Sequence, residues 1–164
     1  MVKYDEYTLE RMIDGDLAWE ELKQIIAETK DPDRFDKIVK ILQKRVSWGE
    51  KIILPLHEHL YIVVKDGKRI VKCDCGHEFG DYRVNWKRKC RVRVRDTDEE
   101  ILELYPKYMG CDTNWAELRE YICPGCLTLL DVEAVPPGYP TIFNYLPDID
   151  LFYKEWLGRS VPEQ

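Results

Sequence analysis

The chain has 164 residues, of which 45% are hydrophobic and 34% charged, and its formal net charge is −6. This is the composition of a globular domain with appendages, not of a disordered tail. No apolar run nears the roughly 18 residues of a membrane span, and the acidic balance disfavours general binding to phosphate backbones.

The N-terminal stretch MVKYDEYTLE lacks the apolar core of a secretory signal, so the expected location is the cytoplasm, where thiols stay reduced. Two helices are expected to follow and to pack as a pair. The first is capped by Asp16, with Leu17, Leu22, Ile25 and Ile26 near one stripe. The second, DPDRFDKIVKILQKRV, has Asp31 as its cap, Pro32 at its first position and Phe35, Ile38, Val39, Leu42 and Val46 on its apolar face. WGEKIILPL reads as a turning segment. LYIVV and RIVKC then flank Lys65-Asp66-Gly67-Lys68, the signature of a hairpin with an Asp-Gly turn.

YRVNW and CRVRVR alternate apolar and polar residues, as half-buried strands do. DTDEEILELYP reads as a short helix with acids at its start and a proline at its end. NWAELREYICPGCLTLLDVEAV is expected to give a short helix, a strand through Cys123, a tight turn and a second strand. DIDLFYKEWLG reads as a last amphipathic helix with Leu151, Phe152, Trp156 and Leu157 inward. The predicted class is α+β: N-terminal helices, a strand-rich zinc-ribbon-like middle and a C-terminal helix. Expected bounds are residues 1–50 for the helical segment, 51–136 for the strand-rich core and 137–164 for the closing loop and helix.

Six cysteines are present, and two clusters stand out: CDCGH at 73–77 and CPGC at 123–126. Zinc takes four ligands in a tetrahedron, and a tight turn between strands can aim two thiolates at one point. In CPGC, Pro124 sets one φ and Gly125 permits the turn; in CDCGH, Cys73 and Cys75 lie on one side of an extended segment. The intervening residues, 76–122, far exceed the usual 15–20 or so of a compact ribbon, so they must form strands of their own. A four-cysteine site of Cys73, Cys75, Cys123 and Cys126 follows. It is read as structural, because four thiolates leave no position open for water.

Alternatives stay open on the residues alone. His77 can replace one cysteine or hydrogen-bond a thiolate. Cys90 and Cys111 lack partners at ligand spacing and read as small buried hydrophobes. His57 and His59 share one side if LHEHL is extended, which allows a second metal; paired polar residues on an outer strand face are the plainer reading. Residues 83–95 hold seven basic residues in thirteen and no acid. With nearby Trp86 and Tyr82 they offer a nucleic-acid surface, but pairing with acids of the same chain or a partner fits the acidic whole better. A disulfide framework is the remaining option for the cysteines. No phosphate-cradling glycine loop or nucleophile elbow occurs, and no catalytic residue is expected. The ten Tyr and five Trp exceed what so small a core takes up, so some are expected to meet a partner.

The runs CDCGHEFGDYRVNWK, VRVRDTDEEI, LYP and REYICPGCLTLLDVEAVPPGYP, with the ending FNYLPDIDLFYKEWL, resemble the small gamma subunit of acetone carboxylase, most densely from Lys72 to Leu157. The resemblance implies a zinc-bearing subunit of an α2β2γ2 heterohexamer. That enzyme carboxylates acetone with bicarbonate to acetoacetate, driven by hydrolysis of ATP to AMP and phosphate. The large alpha and beta subunits would carry nucleotide handling and Mn2+. A small subunit of an aromatic-ketone carboxylase is a related possibility.

Overall fold

The computed structural model describes residues 3–29 and 31–163. Three helices come first: α1 (Glu6–Asp14), α2 (Trp19–Ala27) and α3 (Arg34–Arg45). Seven strands follow in two antiparallel sheets. β1 (Lys51–His57), β2 (Leu60–Lys65), β3 (Lys68–Cys73) and β4 (Glu78–Asp81) form a meander in that order. β5 (Arg91–Arg95), β6 (Glu117–Ile122) and β7 (Leu129–Val135) form the second sheet. Helix α4 (Asp98–Leu102) lies within the β5–β6 connection, and α5 (Ile149–Leu151) precedes a wide turn over 152–156. The α+β class with helices first, strands in the middle and a short helix last is as expected.

The four-stranded sheet is apolar on both faces, which explains why LYIVV is a continuous hydrophobic run. One face carries Ile53, Leu60, Ile62 and Val71 into a core shared with Phe79, Trp86, Tyr121, Leu130, Ile149 and Tyr153. The other carries Ile52, Tyr61, Val63 and Ile70 against Leu42 of α3 and Ile13 of α1. Asp66 and Gly67 both have positive φ, 50° and 69°, as the β2–β3 hairpin turn requires. Burying each large aliphatic side chain on these two sheet faces contributes about 1.5–3 kcal/mol.

Several local expectations are corrected. The helix before Asp16 was not legible: α1 buries only Leu9, yet Asp5 caps it by accepting from the Thr8 amide at 2.8 Å. The helical pair is α1 on α3 rather than α2 on α3. Asp16 caps nothing, since α2 starts after Ala18. Asp31 and Pro32 precede α3, whose cap position is Asp33; Asp31 is instead buried against Arg34 at 2.6 Å. Ile41 joins Leu42 as a buried residue of α3, while Phe35, Ile38, Val39 and Val46 are half-buried. KIILPLH is an edge strand, and Pro55 sits beside a register shift, a place where sheets tolerate proline.

YRVNW is a turn and the start of a 3₁₀ turn (86–89), capped by the Asn85 side chain. No helix forms over 113–116, where turns lead into β6. At the C-terminus Ile149 and Tyr153 point inward, whereas Leu151 and Trp156 are exposed and Phe152 and Leu157 half-buried. The Tyr153 hydroxyl donates to the Ile53 carbonyl at 2.8 Å, and Arg69 holds Asp150 through two bonds of 2.6 and 2.7 Å. These contacts tie the last turn back to the first sheet.

Candidate metal centre

Each sheet ends in one cysteine-bearing turn, and the two turns meet. Cys73 closes β3 and Cys75 lies in the β3–β4 connection; Cys123 and Cys126 lie in the β6–β7 connection. Local backbone bonds shape both. The Cys73 amide donates to the His77 carbonyl at 2.8 Å and the Gly76 amide to the Cys73 carbonyl at 2.9 Å. The Cys123 amide donates to Thr128 O at 2.9 Å and the Leu127 amide to Cys123 O at 3.0 Å.

The four ligand sulfurs lie within 4.8 Å of one another. Cys73 Sγ is 3.9 Å from Cys126 Sγ, and Cys75 Sγ is 3.8 Å from Cys123 Sγ. Sulfurs placed tetrahedrally at about 2.3 Å from one centre are separated by about 3.8 Å. The donor set and its spacing therefore fit a metal ion such as zinc. Cys73 and Cys123 are buried and Cys75 and Cys126 exposed, so the cluster spans the core and the surface. All six cysteines are free thiols, which excludes the disulfide alternative here.

Gly125 shows how closely the turns approach. A Cβ there would stand 3.0 Å from the His77 Cβ and 3.2 Å from Cys75 Sγ. Glycine is required for contact rather than for φ. Gly76 has φ +96° and faces the Trp48 ring, so its need is conformational. The equivalent bend of the second turn is made by Leu127 at φ 64°.

Electrostatics separate the sulfurs. Burial pushes the Cys73 and Cys75 thiols up, against opposing amides of Cys75 and His77. Burial also works against the Cys126 thiolate, but the Thr128 hydroxyl and amide bring it down to about 7. Cys126 Sγ and Thr128 Oγ1 are 3.2 Å apart. Hydrogen bonds from the backbone and hydroxyls favour the thiolate, the form a metal takes.

A shell around the first turn was not visible in the sequence. The Trp48 Nε1–H donates to the carbonyls of Cys73 and Asp74 at 3.2 and 3.0 Å. Asp74 Oδ1 lies 3.1 Å from Cys73 Sγ, and its Oδ2 lies 2.8 Å from His59 Nδ1. Lys72 is buried over the Trp48 ring at 4.8 Å and paired with Glu50 at 2.6 Å. No spacing rule links residue 48 to residue 73; only the tryptophan in a short loop after a helix hinted at a packing role.

The other candidates fall elsewhere. His77 packs edge-on against Phe79, with ring centroids 4.9 Å apart, and is outside the sulfur group. LHEHL is not extended: a turn at 58–59 separates His57 from His59, and His59 engages Asp74. Cys90 and Cys111 are half-buried, each with Sγ 3.8 Å from a carbonyl, of Trp86 and Ala116 respectively. Burial pushes Cys90 up to about 12, as suits an inert thiol.

Four of the seven basic residues of the 83–95 run are paired within the chain. Arg83 pairs with Asp81, Lys87 with Asp131 and Glu133, Arg95 with Glu103 and Glu120, and Arg93 with Glu103. Lys87 is buried, and its ammonium stays charged because those two carboxylates outweigh the cost of burial. Such a strand offers few free cations to a phosphate backbone.

Residues 46–157 match the family described as "Acetone carboxylase gamma subunit". A relative of that name from Xanthobacter autotrophicus is 48% identical over 155 residues, covering 93% of this chain and 92% of the relative. The chain belongs to the acetone carboxylase gamma subunit family. A second similar protein, the acetophenone carboxylase beta subunit of Aromatoleum aromaticum, is 32% identical over 80 residues, or 47% of this chain and 61% of that protein. All four clustered cysteines lie inside the matched family span.

Proposed function

We propose that this chain is the zinc-carrying architectural subunit of an ATP-dependent acetone carboxylase. The 48% identity to a gamma subunit over 93% of the chain carries the reading. Cys73, Cys75, Cys123 and Cys126 hold the ion, which supplies a cross-link between the ends of the two sheets and no open ligand position. The chain contributes no catalytic residue. Acetone, bicarbonate and ATP are handled, with Mn2+, by larger alpha and beta subunits in an α2β2γ2 assembly, and products are acetoacetate, AMP and phosphate. Its place is the cytoplasm; among the described residues no helix is long and apolar enough to cross a membrane.

The test is co-expression with the alpha and beta subunits, metal analysis and an acetone carboxylation assay. One zinc per chain and activity only in the assembled complex are expected. Carboxylation by the lone chain, or a purified chain without metal at full stability, overturns the reading. The partial match to an acetophenone carboxylase subunit favours a second reading, an aromatic-ketone complex. Assaying the same assembly with acetone and with acetophenone decides between them.

A further inference from the structure

Between β5 and β6 the chain leaves the second sheet for residues 96–116 and returns. This excursion exposes Leu102, Leu104, Tyr105, Tyr108, Met109 and Trp115 together. Three are nearly free of the fold: Tyr108 is 92% exposed, Trp115 77% and Met109 73%. Monomers rarely leave so many large apolar groups on one short segment without use. Tyr, Trp and Met are also the residues enriched at the centres of protein interfaces. Tyr108 has φ 70°, a conformation costly for a bulky residue, and its ring lies 5.1 Å from the Lys107 ammonium.

Two further features specify the occupant. A groove of about 410 Å³ runs between α4 and the loop, lined by Ile101, Leu102, Pro106 and Tyr108 together with Asp98, Asp112 and Lys107. Its two carboxylates outnumber the one cation, so the trough suits the stem and cationic head of an arginine or lysine. The segment also keeps an acidic excess. Arg93 and Arg95 neutralise Glu100 and Glu103, which leaves Asp96, Asp98, Glu99 and Asp112 exposed against Lys107 alone. Two copies of this surface would set acid against acid, so self-association is disfavoured, and nucleic acid is repelled.

We infer that residues 96–116 form the docking element for a larger companion subunit, whose complementary surface presents an apolar recess edged by Arg and Lys. The inference rests on the reading that the chain is a subunit of a carboxylase assembly, and it adds the surface and the chemistry of its partner.

The test uses the full chain, purified with its zinc, titrated into the companion alpha and beta subunits at low and high salt. Tyr108→Asn/Met109→Ser/Trp115→Ser removes the exposed groups; asparagine tolerates the left-handed backbone. This variant is expected to bind at least about tenfold more weakly, with zinc content and melting temperature unchanged. Asp98→Lys/Glu99→Lys is expected to slow association several-fold and to flatten its salt dependence; it decides the matter if the first variant misfolds. Wild-type affinity in both variants overturns the inference while leaving the assembly reading intact. A wild-type chain that dimerises through this surface, with the triple variant monomeric, overturns it too. No binding of the wild-type chain to the companion subunits sinks both readings.

Discussion

The Cys73–His77 turn is braced from outside, whereas the Cys123–Thr128 turn rests mainly on its own backbone. Trp48 and His59 both hold the first turn: the indole bonds two of its carbonyls, and the His59 carbonyl accepts the Asp74 amide at 3.1 Å. The second turn has the Thr128 contacts and the close seat of Gly125 on His77. Its bend is made by a leucine, where the first turn uses glycine. Both buried sulfurs, of Cys73 and Cys123, sit in the same core, but the first turn has more bonds from outside itself. A site braced unequally in this way couples metal binding to completion of folding.

The largest effect should come from breaking the buried sulfur of the second turn. Cys123→Ser is expected to lose the metal and more than about 4 kcal/mol of stability, read by zinc analysis and calorimetry. Chelation should unravel the second sheet before the first, with amide exchange rising in β6 and β7 ahead of β2 and β3. pH should act in opposite directions on the two forms. In the metal-free chain, burial raises the thiols of Cys73, Cys75 and Cys90 above their ordinary value near 8.5. Their stabilisation is complete below that pH and is lost as pH climbs above it, for Cys90 through about 12. Cys126, brought down to about 7, acts the other way and loses its contribution as pH falls through 7. The metal-loaded chain needs thiolates, so its melting temperature should fall with acid and hold in mild alkali; urea melts with and without chelator at pH 6 to 10 test the crossing.

Gly125→Ala should come next, costing about 1–3 kcal/mol by forcing the turns apart, with weaker zinc retention in a competition titration. Trp48→Phe keeps an aromatic side chain but removes the donor shared by the Cys73 and Asp74 carbonyls, of which Cys73 keeps the Gly76 amide, and should cost about 1–2 kcal/mol with or without metal. Leu127→Gly relieves the left-handed bend and should add roughly 0.5 kcal/mol. A loss of stability on that change would mean that the leucine side chain packs usefully despite its exposure.

The parts of the molecule set by short-range chemistry were legible in the sequence. Asp66-Gly67 demands a hairpin, a doubly apolar LYIVV demands a buried strand, and two cysteine pairs with glycine demand facing turns. The errors lie where neighbours outside the segment decide. The strand running into Cys123 was expected and is β6, but the short helix expected before it is absent, and turns over 113–116 lead into a strand paired on both sides by β5 and β7. YRVNW alternates by accident, and Asn85 turns it by capping the next residues. The bracing of Cys73 by Trp48 joins residues whose proximity depends on α3 and β1 meeting, which no local pattern encodes.

The sulfur cluster brackets the excursion: two ligands precede residues 96–116 in the chain and two follow. A protease that clips the bond after Tyr108 would therefore release nothing. Both pieces would stay fastened through the β5–β6 ladder, and through an ion where the four sulfurs hold one, and would part on a gel only after metal and structure were removed together. Nicked yet intact, such a chain would let the protruding segment be replaced by a synthetic peptide or split between two polypeptides.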